Sequence, residues 1–366
     1  LEFRTNNKNN YNKLKIIMAS YINIHGNNIP IRASDPSNPI LGEIWYNSTT
    51  NLLKGRLASG AAAWSSLASR NNGMDSNSGM GGTITDAVVF GGYQPPSNPA
   101  PIPAAPGIGY SAITEKWDGT TWTNTGAMNN GGSGVVSWGA SSSDAIAANR
   151  YADRPGAVLY TNSTESFDGS TWTSLNNSNV NKEGAGGTGG PTSVGFACGG
   201  NQPHGASNTA AGSETWDGTC WTVGNPINTP TSRQGTSGSL TAAVIAGGQA
   251  GYPSTIRNNV EEFDGTSWAA ATAMPGTRAG LSKTSQPQLN SVFFGGYDGG
   301  ATPFNQNLNY DGTSWTTGPS MARANAAQAG STGSSSLLAV GGASYNALTE
   351  QYLPAGTELT KTFTSS

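Results

Sequence analysis

The sequence predicts an all-β chain folded as a six-bladed β-propeller of four-stranded antiparallel blades. Three observations carry that prediction. The composition is rich in glycine and poor in charge, one short aromatic motif recurs at near-constant spacing, and the part missing from the last repeat is found ahead of the first.

Glycine makes up 51 of 366 residues, about twice the usual ~7%. Charged residues are 11% against a usual ~25%, so Asn, Ser and Thr must solvate most of the surface. Ten Trp, twelve Tyr and nine Phe are too many large apolar side chains for a solvated coil. The net charge of −3 comes with no basic block, which argues against nucleic acid and anionic membrane surfaces as partners. No apolar run approaches the ~18–20 residues of a membrane span. After Arg4, Lys8, Lys13 and Lys15 only Ile16-Ile-Met18 is apolar, short of the ~7–15 residues of a secretion signal.

The motif recurs as Glu115-Lys-Trp-Asp-Gly-Thr-Thr-Trp122, Glu165-Ser-Phe-Asp-Gly-Ser-Thr-Trp172, Glu214-Thr-Trp-Asp-Gly-Thr-Cys-Trp221, Glu262-Phe-Asp-Gly-Thr-Ser-Trp268 and Asn309-Tyr-Asp-Gly-Thr-Ser-Trp315. Its aspartates, Asp118, Asp168, Asp217, Asp264 and Asp311, are 50, 49, 47 and 47 residues apart. An apolar run closing in a glycine pair precedes it, as Val88–Gly92, Gly195–Gly200, Val244–Gly248 and Val292–Gly296, and recurs at Leu338–Gly342. Asp144-Ala-Ile-Ala-Ala-Asn-Arg150 is a degenerate copy filling the one gap, which makes six. Asp-Gly between an aromatic strand and a Thr-x-Trp strand reads as a hairpin, since the turn needs the positive φ that Asp-Gly supplies. Small-residue segments such as Gln234–Ser239 and Ala326–Gly330 suit an innermost strand near an axis. The glycine pair lets the fourth-strand Trp or the next backbone approach closely. Six units of ~50 residues with four strands each are a propeller with a kelch-type signature.

The sixth unit has its third strand at Thr349-Glu-Gln-Tyr352 and then meets Leu353-Pro354 with no further motif. Ala62-Ala-Trp64-Ser-Ser-Leu67 matches Ser170-Thr-Trp172-Thr-Ser-Leu175, so the strand around Trp64 is expected to complete the last blade and close the ring, removing its exposed edges. The tail 357–363 is the weaker candidate for that slot. Residues 1–17, Asn- and Lys-rich, read as a disordered or upstream segment, with Met18 a natural start. Residues 18–60 form an N-terminal attachment segment, with a hairpin of Ile40–Tyr46 and Asn51–Gly55 about Asn47–Thr50, and 61–366 are the propeller.

These features resemble the kelch-like propeller proteins encoded by tailed phages of marine cyanobacteria and related bacteria. The residues that carry the resemblance are Gly42-Glu-Ile-Trp-Tyr-Asn-Ser-Thr-Thr50 with Leu53-Lys-Gly55, followed by repeats ending in Phe-Gly-Gly and Glu-x-aromatic-Asp-Gly-Thr-x-Trp. The resemblance implies a virion structural component, associated with a fibre or appendage. It implies other virion proteins as partners and a virion location after synthesis in the host cytoplasm.

Little in the sequence points to chemistry, and no enzyme activity, metal or cofactor is expected. His25 and His204 are the two histidines, in separate parts of the chain, so the paired His of the copper-radical oxidases, which share the kelch-type fold, cannot be supplied. The repeated aspartates serve their turns. The glutamates Glu115, Glu165, Glu214, Glu262 and Glu350 recur in strand register and read as structural or solvated. Cys198 and Cys220, two strands apart in one blade, are expected ~9–10 Å apart, beyond the ~7 Å limit of a disulfide, and so free.

What distinguishes one repeat from another is the loop after each glycine pair, and such loops carry function on a rigid scaffold. The first runs from Tyr93 through six prolines to Tyr110; the others bring Arg150, Tyr151, His204, Tyr252, Tyr297, Phe304 and Tyr345. Tyr and Arg beside Asn, Asp and Gln offer flat faces for sugar C–H groups and amide forks for hydroxyls. Tyr93, Tyr110, Arg150, Tyr151, His204, Tyr252, Tyr297 and Tyr345 are therefore the candidate ligand-binding residues, for a host-surface glycan or receptor protein. The alternative is a purely architectural decoration of capsid or tail, with these aromatics capping blade ends.

Overall fold

The computed structural model describes residues 29–363 except 59, 75–78, 94–108, 155–156, 203–208, 252–254, 285–286, 300–301, 327–328, 331–335 and 343–345. The chain divides into two units, 63–353 and a smaller one of 1–62 with 354–366.

The larger unit is a ring of six four-stranded antiparallel sheets. Blade 1 comprises Gly79–Thr83, Asp86–Phe90, Thr114–Trp117 and Trp122–Asn124. Blade 2 comprises Val136–Ser141, Asp144–Arg154, Ala157–Phe167 and Trp172–Leu175. Blade 3 comprises Gly186–Gly189, Gly195–Cys198, Ser213–Trp216 and Trp221–Gly224. Blade 4 comprises Gly235–Ser239, Ala242–Ala246, Val260–Phe263 and Trp268–Ala270. Blade 5 comprises Ala279–Leu281, Ser291–Tyr297, Asn307–Tyr310 and Trp315–Thr317. Blade 6 supplies Ala329–Gly330, Leu337–Val340 and Thr349–Leu353, and Ala63–Ser66 is its outermost strand, with Trp64 opposite Tyr352. The expected closure by the Trp64 strand is what the structure contains.

Each Asp-Gly hairpin is a four-residue loop, since Trp117 pairs directly with Trp122. In blade 2, Asp168 Oδ1 accepts the N–H groups of Ser170 and Thr171, both at 2.8 Å. Only the glycine of the dipeptide takes a positive φ, +99° at Gly169. The aspartate thus caps two amides instead of adopting the left-handed turn expected of it. Those backbone bonds hold its carboxyl below the ordinary range.

The motif's two aromatics face each other across the third and fourth strands, with ring centroids 4.7–5.5 Å apart in all six blades, the spacing at which tilted rings attract. The fourth-strand Trp also holds the preceding blade. Trp122, Trp172 and Trp221 donate their indole N–H to Thr349, Thr114 and Thr164 hydroxyls at 2.9–3.0 Å. Blade 4 has Val260 at that position, and Trp315 turns instead to the Thr272 carbonyl, 2.7 Å away. Inner strands are rich in small residues, and their largest side chain among the described residues is a tryptophan. Trp138 of blade 2 is fully buried because blade 3 has glycine at 189 and 195, where a Cβ would lie within 2.7 Å of its ring.

The repeated glutamates are structural. Asn129 and Asn130 N–H groups donate to Glu165, Asn179 N–H to Glu214, Asn228 and Thr229 N–H to Glu261, and Ala322 N–H to Glu350. Each carboxylate clasps the chain arriving from the previous blade. Arg70 plays the partner in blade 1, 2.8 Å from Glu115 with both side chains fully buried. In blade 4 the residue in this register is Glu261, one position before the expected Glu262. The motif there is full length, with Glu261 three residues before Asp264 as Glu115 is before Asp118, and Glu262, one place later, lies on the other face of the strand, accepting from the Tyr310 hydroxyl of blade 5 at 3.0 Å.

Both cysteines are free. Cys198 is buried at the end of its strand, and its thiol is pushed up to about 12 by burial. Cys220 lies in the hairpin loop just before the fourth strand, its N–H donated to Asp217.

The smaller unit is a four-stranded sheet. Ile31–Arg32 runs parallel to Ile44–Asn47, which turns into Leu52–Ala58, which pairs with Glu358–Phe363. The hairpin is as expected, but the C-terminal strand belongs here, so the propeller ends at Leu353 and not at 366. The physical reason is that Ala63–Ser66 already fills the last blade, and Pro354, lacking an N–H, ends the strand there. Asp35 organises this sheet: its carboxylate accepts from Trp45 Nε1 (3.0 Å), Asn47 Nδ2 (2.7 Å) and Lys54 Nζ (2.6 Å).

Two outcomes are expected. Trp172→Ala should destabilise the propeller by about 3–5 kcal/mol and Trp64→Ala, whose ring is partly exposed, by about 2 kcal/mol, read as shifts in urea unfolding. The bonds from Lys54, Asn47 and Trp45 lower the Asp35 pKa from 3.8 to about 2. Its contribution to stability is therefore complete above pH ~4 and lost as pH falls towards 2. The Trp45 indole N–H resonance should hold its position down to pH ~3 and move below it, whereas Asp35→Asn should abolish that transition.

Candidate functional site

The antiparallel register brings the end of each second strand, the start of the third and the start of the inner strand to one end of the ring; the Asp-Gly hairpins lie at the other. At the first end the glycine pairs turn the chain outward. Gly199 and Gly200 take φ of +66° and +95°. A Cβ on Gly199 would meet the Thr231 carbonyl at 2.4 Å, so the pair makes room for backbone entering the next blade. In blade 2 the pair is replaced by Asn149 and Arg150. Asn149 adopts φ +44° and is itself the bulged residue between Ala148 and Arg150; asparagine tolerates the left-handed region better than most residues. Here the second and third strands run on past the bulge as a hairpin, placing Tyr151 opposite Tyr160.

Among the described residues, those that follow the pairs are Tyr93, Tyr151, Asn201, Gln249 and Tyr297. The rings of Tyr93 and Tyr110 are 5.2 Å apart, Tyr110 and Tyr151 5.4 Å, and Tyr151 and Tyr160 5.2 Å, a half-buried aromatic row across blades 1 and 2. Further round, the Tyr297 hydroxyl donates to Gln249 Oε1 at 2.9 Å and accepts from Arg233 Nη1 at 3.4 Å. Asn201 Nδ2 donates to Glu183 Oε1 at 2.7 Å, and Arg233 Nη2 lies 3.9 Å from the same oxygen. Burial, then the charge of Glu183 and the Tyr151 hydroxyl, raise the Tyr160 pKa, so Tyr160 remains a neutral donor.

An arc of backbone bonds joins the starts of the inner strands of blades 2 to 5. Gly184 N–H donates to Gly134 O (3.0 Å), Arg233 N–H to Gly184 O (2.7 Å) and Gly280 N–H to Arg233 O (2.8 Å). All four residues are left-handed, with φ of +65°, +59°, +55° and +65° in chain order. Three are glycine; Arg233 alone carries a side chain in a conformation that disfavours one. Lys283 of blade 5 donates to the Val135 carbonyl of blade 2 at 3.3 Å. Those blades are opposite in a ring of six, so the side chain crosses the axis. Burial brings the Lys283 pKa down to about 8, against the charge of Glu183, which favours the ammonium.

Of the eight residues expected at this rim, Tyr93, Tyr110 and Tyr151 come together and Tyr297 stands further along it. Arg150 does not belong to it. Its side chain is fully buried, paired with Glu165 at 3.0 Å and donating to the Asn130 carbonyl at 2.6 Å, because the bulge at Asn149 shifts the register before it and turns it inward to the blade's buried carboxylate. His204, Tyr252 and Tyr345 lie outside the described residues. Phe304 lies under the Arg278 guanidinium, 4.2 Å from its ring centroid. Sequence reasoning missed Tyr160, Glu183, Arg233 and Lys283. The signal for Arg233 was its alignment with Gly134 and Gly184, two residues before the inner strand.

No protein-family model matches the sequence, and no curated protein matches it. The fold is similar to the solved structure of YjhT, with a TM-score of 0.61 and 12% identity over 81% of this chain and 99% of that one. The likeness is one of fold, that of a kelch-type β-propeller.

Arg150→Met should lower stability by about 3 kcal/mol, because it leaves Glu165 buried without its cation. Tyr151→Ala, at a half-exposed position, should change stability by about 1 kcal/mol or less. Urea unfolding of the two variants separates the buried clasp from the rim.

Proposed function

We propose that this chain is a recognition protein, a fibre or appendage component of a virion, whose propeller binds a host-envelope glycan at its axial mouth without covalent chemistry. The observation that carries the reading is the composition of that mouth. A row of four tyrosines in ring contact adjoins a bonded set of Asn201, Gln249, Tyr297, Arg233 and Glu183. A pyranose presents an apolar C–H face and a rim of hydroxyls. The first suits an aromatic ring, the second suits groups that donate and accept in fixed directions. The rim side chains already bond one another, so little side-chain entropy remains to be lost on binding. The virion assignment rests on the likeness of Gly42–Thr50 and the repeats to phage propeller proteins.

The small sheet supports a second role beside recognition. Ile31, Ile40, Leu41 and Leu52 are 66%, 72%, 54% and 37% exposed, and exposed apolar side chains concentrated in one small unit favour attachment to other virion proteins. If the mouth binds nothing, this attachment alone, an architectural role, is the reading that remains.

The full chain, displayed multivalently, should bind cyanobacterial envelope polysaccharide and whole cells saturably. Tyr151→Ala should weaken binding about tenfold, as expected for loss of one ring contact worth ~1–1.5 kcal/mol. Absence of binding by the multivalent form, with retention on purified virion tail proteins, would replace recognition by architecture.

A further inference from the structure

We propose that the axial mouth binds the anionic substituent of a glycan, a carboxylate or a sulfate ester, between the Arg233 guanidinium and the Lys283 ammonium. This rests on the recognition reading above and names the class of glycan.

Two cations approach the axis from blades 4 and 5, Arg233 through its contacts with Tyr297 and Glu183 and Lys283 through the Val135 carbonyl, and the charge of Arg233 acts on Lys283. Their compensation is incomplete. Glu183 is the carboxylate nearest Arg233, at 3.9 Å and already accepting from Asn201. Arg233 Nε is buried without a hydrogen-bond partner. Lys283 Nζ donates to one carbonyl at 3.3 Å, leaving donors of its three unused. An oxyanion placed between them would take up those donors and relieve the repulsion between like charges.

The backbone supplies independent support. Ring closure asks only for a left-handed residue at this position, and glycine meets that need in blades 2, 3 and 5. An arginine there opposes local stability, and such strain is found where a side chain serves a site. The tyrosine row ends beside Arg233, since Tyr160 feels the charges of both Glu183 and Arg233. One sugar ring on the tyrosines would thus place an acidic group of its neighbour over the axis.

The test is calorimetric titration of the full chain at pH 7 and low salt with three hexasaccharides. These are an oligogalacturonate, its carboxyl-reduced neutral form and a sulfated galactan. At least one anionic oligomer should bind tenfold or more tighter than the neutral one, and the tighter of the two identifies carboxylate or sulfate. Arg233→Gly and Lys283→Met should each erase the preference. Arg233→Gly should keep or raise the melting temperature, which a purely structural arginine would not do. Tyr151→Ala should weaken all three ligands alike. Raising the pH from 7 to 9.5 removes the Lys283 proton, while Arg233 stays charged and Tyr160 and Cys198, both raised, stay neutral. The preference should therefore fall severalfold in the parent chain and not change in Lys283→Met. Equal binding of all three would overturn the anionic assignment and leave glycan recognition standing. Binding of none would also overturn it, and envelope-polysaccharide binding then decides recognition separately. A preference that survives both cation variants would overturn the site.

Discussion

The ring depends on a buried carboxylate that water cannot solvate. A third-strand glutamate inside a sheet must find its hydrogen bonds in protein, and the N–H groups it finds belong to the chain crossing from the blade before. Asn129 and Asn130 at Glu165, Asn179 at Glu214, and Asn228 and Thr229 at Glu261 are the same clasp in three settings. Because the clasp fixes where the chain enters a blade, it also fixes where the inner strand begins, and so the radius of the mouth. Blades 1, 2 and 3 neutralise the carboxylate with Arg70, Arg150 and Lys182 respectively. Blade 5 dispenses with it, placing Leu308, fully buried, in the same register.

The aromatic contacts act on that frame from the outside. A fourth-strand Trp has one face on its own blade's aromatic and its N–H on the neighbour's threonine, so blades cannot slide without breaking a hydrogen bond and exposing a ring. Where the threonine is absent the bond is relocated, as at Trp315, or lost, as at Trp268, whose buried indole N–H has no partner. The fold tolerates such lapses because the same contact is made several times around the ring.

Repetition is also what made the fold legible. Five Asp-Gly-x-x-Trp motifs at near-constant spacing report their hairpins directly, and the orphan pattern at Trp64 reports closure, because both are local and periodic. What escaped reading was whatever broke the period. Arg150 looked like a loop residue because its glycine pair was missing; the bulge that replaces the pair turns it into the core. Glu262 looked like the buried carboxylate because two glutamates stand side by side before Phe263, and only Glu261 keeps the three-residue spacing to its aspartate; in a strand a one-residue slip changes the face. Glu358–Phe363 joins a sheet some 300 residues away in sequence, a pairing no local signal announces. At the mouth, the tyrosines after the glycine pairs were readable as a set. Glu183, Arg233 and Lys283 were not, because their juxtaposition exists only once the ring has closed and brought opposite blades face to face.

Closure by Ala63–Ser66 also has a consequence for how the chain is made. The outermost strand of the last blade is synthesised before every other propeller strand and its partner Thr349–Leu353 after all of them. At ~5–20 residues per second the nascent strand waits on the order of tens of seconds for that partner. Until then its backbone edge is unpaired and Trp64 has neither Tyr352 nor Phe294 to cover it. The ring is therefore completed only once Thr349–Leu353 has been made, and the interval before it is when an unfinished chain is most open to capture by chaperones or by another copy of itself.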